Sequence, residues 1–121
     1  MSTDPRHHLG RLGERLAAEH LERLGFAIVA RNHRTRFGEI DLVACDGTTL
    51  VFCEVKTRRG RGDPWEALHP GKQAQVRRMA RVYLSEAADR PRVARLRFDA
   101  IGVAIDGRGR LTRLDHVEGA F

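Results

Sequence analysis

No stretch of this sequence stays apolar for anything near the ~20 residues that a membrane-spanning helix requires, so a helical membrane protein is excluded. The opening residues, Met1 to His8, contain no apolar core of the kind a secretory signal needs. The chain is therefore expected in the cytoplasm, with a flexible N-terminus at 1–8 and a single domain over 9–121. Cysteine is scarce: Cys45 and Cys53 cannot build a disulfide scaffold, and Cys53, alternating with valines, reads as a small core residue. The six histidines (7, 8, 20, 33, 69 and 116) share no zinc-like spacing with the cysteines, and no zinc site is assigned. Repeats, low-complexity tracts and linkers are absent too. Acidic residues are the minority charge, 16 against 22 Lys+Arg, giving a net charge of +6 and a pI of about 10.6. That excess favours a polyanion, and nucleic acid is the commonest one in the cytoplasm. A basic surface without such a partner fits the charge equally well.

What is present is enough for one core. With 121 residues, 41% hydrophobic and 31% charged, the chain has the profile of a folded domain and no room for a second. Leu9, Leu12, Leu16, His20/Leu21 and Leu24 recur at helical spacing, and Gly25 closes this first helix. A strand follows over Phe26–Arg34, then a hairpin of Glu39–Ala44 and Leu50–Thr57 turned at Asp46-Gly47. Arg58 to Pro64 reads as an irregular basic loop, and Trp65 to His69 as a short helical turn. A second helix runs from Gly71 to Ala87 with Val76, Met79, Ala80, Tyr83, Leu84 and Ala87 on one face, and Arg90-Pro91 ends it. Strands are expected at Leu96–Ile105 and Leu111–Val117, separated by a turn at Asp106–Gly109. The order αβββαββ, with a crossover to a parallel fourth strand, implies an α/β domain: a mixed β-sheet flanked by helices.

The hairpin carries the chemistry. Alternation puts Glu39, Asp41 and Val43 on one face of its first strand, and Leu50, Phe52, Glu54 and Lys56 on one face of its second. A two-residue turn sets Asp41 across from Phe52, and a four-residue turn sets it across from Glu54. Either places the two acids on one face, within reach of a shared ion; a three-residue turn would separate them. Even turns are favoured because they make Ile40, Leu42, Val51 and Val55 one core face. Val43, Leu50 and Phe52, near the turn on the other face, need cover and are expected under the first helix. Crowded carboxylates repel unless a cation or protons intervene. Oxygen ligands suit Mg²⁺, which keeps waters and binds phosphate oxygens through one or two carboxylates. Lys56 beside them would orient a water or offset charge growing on a phosphorus centre. The competing reading of the same spacing is a solvated strand end with a Glu54–Lys56 surface pair.

Gly38-Glu-Ile-Asp-Leu-Val, followed by Val51-Phe-Cys-Glu-Val-Lys-Thr-Arg58, resembles the core motif of the restriction-endonuclease-like, PD-(D/E)XK, superfamily. The sequence is most similar to the YraN-like family of small bacterial proteins, which are themselves similar to archaeal Holliday-junction resolvases. The likeness covers nearly the whole chain. It takes in Gly13-Glu14, Arg31-Asn32 with Arg34, Lys72, Arg97-Phe98-Asp99 and the terminal Ala120-Phe121. Ile40 stands where the name motif has proline. The resemblance implies a restriction-endonuclease-like fold, with Asp41 and Glu54 as ligands of Mg²⁺ (or Mn²⁺), Lys56 as the catalytic lysine and Glu14 as a helix-borne acid of the site. It also implies a homodimer, since nucleases of this fold often pair two sites to cut two strands. The helical wheel agrees on Glu14, placing it at the edge of the apolar stripe beside Leu21.

Arg58, Arg59 and Arg61 follow the hairpin directly and are candidates for DNA-backbone contact. Lys72, on the buried side of its helix one turn before Val76, is either a phosphate contact or a lysine reaching past a helix start. Arg77, Arg78 and Arg81 read as a solvated face. Trp65 reads as core, with base stacking as the alternative. Asp99 reads as an outward strand residue or a partner for Arg97, with an extra site acid as the alternative. The expected function is a metal-dependent DNA endonuclease hydrolysing phosphodiester bonds of branched or damaged DNA. The alternatives are a catalytically inactive nucleic-acid-binding module on the same fold and a protein-assembly factor.

Overall fold

The computed structural model describes residues 5–60, 68–87 and 90–121, with side chains from His8 onward. The elements are α1 (Pro5–Arg23), β1 (Ala27–Thr35), β2 (Gly38–Cys45), β3 (Thr49–Arg59), α2 (Pro70–Glu86), β4 (Arg95–Ile105) and β5 (Leu111–Val117). Helix α1 begins a turn earlier than the leucine spacing marks, on a proline suited to a first helical turn. It ends in a Schellman motif: Gly25, at φ 98°, and Phe26 donate to the Glu22 and Leu21 carbonyls at 3.0 Å each. Among the described residues no helix is long and apolar enough to cross a membrane. The expected order αβββαββ holds.

The strands form one sheet in sequence order, β1 to β5, with β3 and β4 parallel and every other pair antiparallel. One helix covers each face. Ala17, Ala18 and Leu21 of α1 pack on Leu42, Ala44, Val51, Cys53, Val55, Ile101 and Val103. Val76, Met79, Ala80 and Tyr83 of α2 pack on Ile40, Val43, Cys45, Leu50 and Phe52. The Val43–Leu50–Phe52 face therefore lies under α2, not under α1 as the sequence suggested. Alternation fixes which residues share a face, but the crossover from β3 to β4 decides where α2 lies. Ile40 also joins the α2 side, against the parity that grouped it with Leu42.

Its departure marks the feature that positions the site. The β2–β3 ladder runs from Cys45↔Leu50 to Leu42↔Cys53, so the turn holds four residues, Asp46 to Thr49. The turn is closed by Asp46, whose Oδ1 accepts the Thr48 and Thr49 amides at 3.0 and 2.8 Å. Beyond Leu42↔Cys53 the strands part. The start of β2 pairs on with β1 through Ile40, Glu39 and Gly38, while β3 pairs on with β4 from Glu54 to Arg59. The sheet forks there, and Asp41 and Glu54 are the first residues on its two arms.

Candidate active site

Asp41 sits at the fork and its Oδ2 accepts the Val55 amide at 2.8 Å, a backbone donor released where the ladder ends. Its carboxyl is also hydrogen-bonded to that of Glu54. Glu54 is only 3% exposed. Burial, then the Glu54 charge, push Asp41 from 3.8 up to about 8, with Glu14 adding to the rise and the Val55 amide opposing it. The pair thus holds a proton between its carboxyls through neutral pH. Two ammonium groups complete the neutralisation: Lys56 Nζ lies 3.5 Å and Lys72 Nζ 3.3 Å from Glu54 Oε1. Lys72 comes from the first turn of α2, which His69 caps by accepting the Lys72 amide at Nδ1, 3.2 Å away. Of the two readings of Lys72, the structure gives a lysine aimed into the acid cluster.

Glu14 approaches from α1. Gly13 makes that possible, because α1 crosses β3 so closely that an added Cβ would stand 2.7 Å from Thr57 Cβ. Glu14 is held by a hydrogen bond to Asn32. Burial raises its pKa, Asn32 and Arg11 oppose the rise, and Glu39 and Glu54 add to it. Asn32 itself adopts φ 49°, a left-handed conformation that asparagine tolerates better than most residues. It falls between Arg31↔Leu42 and His33↔Ile40, level with Asp41. Three neighbouring strands thus bring Asn32, Asp41 and Glu54 to one level, and α1 adds Glu14.

Asn32 was not among the site residues read from sequence. The signal available was a residue type depleted in strands sitting inside one. Arg58 and Arg59 end β3, opposite Ala104 and Ile105, rather than opening a loop. At ~3.3 Å per residue they stand about 13 and about 17 Å along the strand from Glu54, outside the cluster. Arg61 and Trp65 lie outside the described residues. Arg77 and Arg78 are exposed, as expected, and cover Phe98 and Phe37 respectively.

Asp99 is not an outward residue. It is fully buried, paired with Arg97 through two 2.8 Å bonds, as the alternative partner reading had it. It also meets His116 Nε2 at 2.7 Å and the Gly119 amide at 3.0 Å. Burial acts to raise its pKa, but these bonds outweigh it and hold the carboxyl below the usual range. His20 Nε2 then reaches His116 Nδ1 at 3.0 Å, a link no sequence spacing announced.

The acids of the cluster offer only oxygen donors and crowd around a buried carboxylate, which fits a hard divalent cation. Asp41 and Glu54 would hold it. Among the described residues no three His, Cys, Asp or Glu side chains form a group able to hold a metal ion, so waters and substrate oxygens would complete its shell.

The fold and cluster define a class: an α/β domain with a helix on each face of a forked mixed sheet, and acids and lysines gathered at the fork. The model of the uncharacterised protein family UPF0102 matches residues 13–103, a span that contains the whole cluster. The UPF0102 protein of Acidothermus cellulolyticus is 46% identical, covering 96% of this chain and 95% of its own length. That of Pelotomaculum thermopropionicum is 44% identical over 98% of both chains, and that of Symbiobacterium thermophilum 47% identical over 93% and 95%. This chain belongs to the UPF0102 family.

Proposed function

We propose that this protein is a Mg²⁺- or Mn²⁺-dependent DNA endonuclease of the restriction-endonuclease-like superfamily, hydrolysing phosphodiester bonds in the cytoplasm. The observation that carries the reading is the pairing of Asp41 with Glu54 at the fork, with Lys56 two residues on. Asp41 and Glu54 would hold a divalent ion, which would supply Lewis-acid charge and lower the pKa of a water there. Lys56 orients that water or balances charge on the phosphoryl oxygens, and Lys72 adds a second cation on the α2 side. Glu14, fixed by Asn32, sits on the α1 side with its proton affinity raised, as a group that exchanges protons with water near the cluster must be. Branched or damaged DNA is the substrate class suggested by the likeness to junction resolvases.

The test is a panel of linear, flapped and four-way DNA incubated with Mg²⁺ or Mn²⁺. Cleavage by the wild type should disappear in Asp41→Ala and Glu54→Ala, a loss of at least ~100-fold if the acids provide the electrostatic stabilisation. Intact cleavage in both variants removes this site from the account.

One observation favours a second reading. Two lysines already neutralise Glu54, as in a protein that keeps the fold and binds nucleic acid without turnover. That reading expects steeply salt-dependent DNA binding and no cleavage with any metal.

A further inference from the structure

The acid cluster has basic groups on two sides. Lys56 and Lys72 stand against Glu54. Between α1 and β1 lies a separate cavity of about 120 Å³, walled by Arg11, Glu14, Arg15, Arg31, Asn32 and Leu42. Arg11 and Arg15 are one helical turn apart on α1 and share a face, while Arg31 comes from β1. The wall thus carries one carboxylate, Glu14, and three arginines, of which Arg11 acts directly on the Glu14 charge. Glu14 is also the wall shared with the cluster, because its charge reaches both Asp41 and Glu54. The cavity therefore abuts the site.

Its size and lining narrow the ligand. The cavity is small and opens to solvent, so a tetrahedral oxyanion fits inside while a larger ligand can continue outward. Guanidinium forks match phosphate oxygens in pairs. Leu42 is the one apolar residue of the wall, so the lining is richer in polar than in apolar surface and favours the anionic end of a ligand. What fits is the anionic group of a larger molecule whose remainder lies outside. A polymer with a phosphate at every repeat meets that condition, one phosphate at the cluster and the next in the cavity.

We propose that this cavity is a phosphate subsite, holding the phosphate next to the one presented to Asp41 and Glu54. It sets the register and direction in which a nucleic-acid strand crosses the fork. The strand assignment rests on the nuclease reading above; the binding of phosphate does not.

Two measurements on the full chain separate the two. Inorganic phosphate, followed by amide NMR, should give saturable shifts at Arg31, Asn32 and Glu14. Apparent affinity should fall at least about fivefold in Arg15→Ala/Arg31→Ala, as expected when two charge-assisted donors are removed. Arg95→Ala, at the far end of β4 opposite Thr49, should leave it unchanged. Duplex binding as a function of salt should then give a slope of log K on log [salt] shallower by about 0.9 in the double variant, the change for one fewer neutralised phosphate. Both arginines are exposed, and matching thermal midpoints show that the variant is folded. Absent phosphate shifts, or an unchanged slope in a protein that still binds DNA, overturn the subsite while the nuclease reading stands. Phosphate shifts without DNA binding or cleavage overturn the strand assignment and the nuclease reading together.

Discussion

Asp41 is asked to do two incompatible things: to lie buried against Glu54, and to be an anion at neutral pH. Its carboxyl, raised to about 8 by burial and by Glu54, resolves the conflict with a proton. A folded-state value above the unfolded one means that the folded chain binds this proton more tightly. The resulting stability is complete below about pH 4 and is lost as pH rises through about 8. Asp41→Asn keeps an acceptor for the Val55 amide without the charge. Denaturation in chelator at pH 8 should find it more stable than wild type by about 1–3 kcal/mol, with the gap closing towards pH 4. A less stable variant at pH 8 would mean that the two acids are not in conflict. Sequence parity placed Asp41 and Glu54 on one face, but it contained nothing about a shared proton, since that depends on how much water the packed fork excludes.

Among the elements, α1 shows how one missing methyl group can set a site. Gly13 touches Thr57 where α1 crosses β3, and Gly10, one turn earlier, has open space around its Cα. Gly10→Ala should stabilise the protein by up to ~1 kcal/mol through helix propensity. Gly13→Ala should destabilise it by about 1–3 kcal/mol through overpacking, despite the same propensity gain. It should also displace Glu14 from Asn32, lowering activity beyond any loss of folded protein. Equal effects at the two glycines, read by thermal denaturation, would deny the close crossing. The leucine spacing made α1 legible in the sequence, and the hydrophobic repeat made α2 so. The depth at which α1 sits on β3 was not legible, because Thr57 is 44 residues away in the chain.

At the scale of the whole molecule, α1 is fastened to both edge strands of the sheet: Glu14 to Asn32 of β1, and His20 through His116 of β5 to Asp99 of β4. The second fastening is sensitive to acid. Burial first, then His116 and Arg23, hold His20 below its usual pKa of 6.5. The unfolded chain therefore takes up the His20 proton more readily, and the contribution is present above pH 6.5 and lost as pH falls below it. This slope is opposite in sign to that of Asp41, so variants are needed to separate them. His20→Gln should narrow the drop in stability between pH 7 and pH 5.5, measured by urea denaturation. Asp99→Asn, which leaves the partly buried Arg97 only the exposed Glu118 at 3.7 Å as its anion, should cost up to about 3 kcal/mol at pH 7. An unaltered pH profile in His20→Gln would mean that α1 is not held by this link.

The sequence by itself determined the element order, the even turn and the placing of Asp41 with Glu54 and Lys56, because strand alternation and helical periodicity are properties of the local backbone. It also carried enough of the UPF0102 pattern for the family to be read. The tertiary structure alone decided that α2 covers the Val43–Phe52 face, that the sheet forks beyond Leu42 and Cys53, and that Lys72 and Asn32 join the cluster. It also buried Asp99 and bound it to His116. Each of these depends on which distant segments exclude water from one another, and residue spacing along a chain does not encode that.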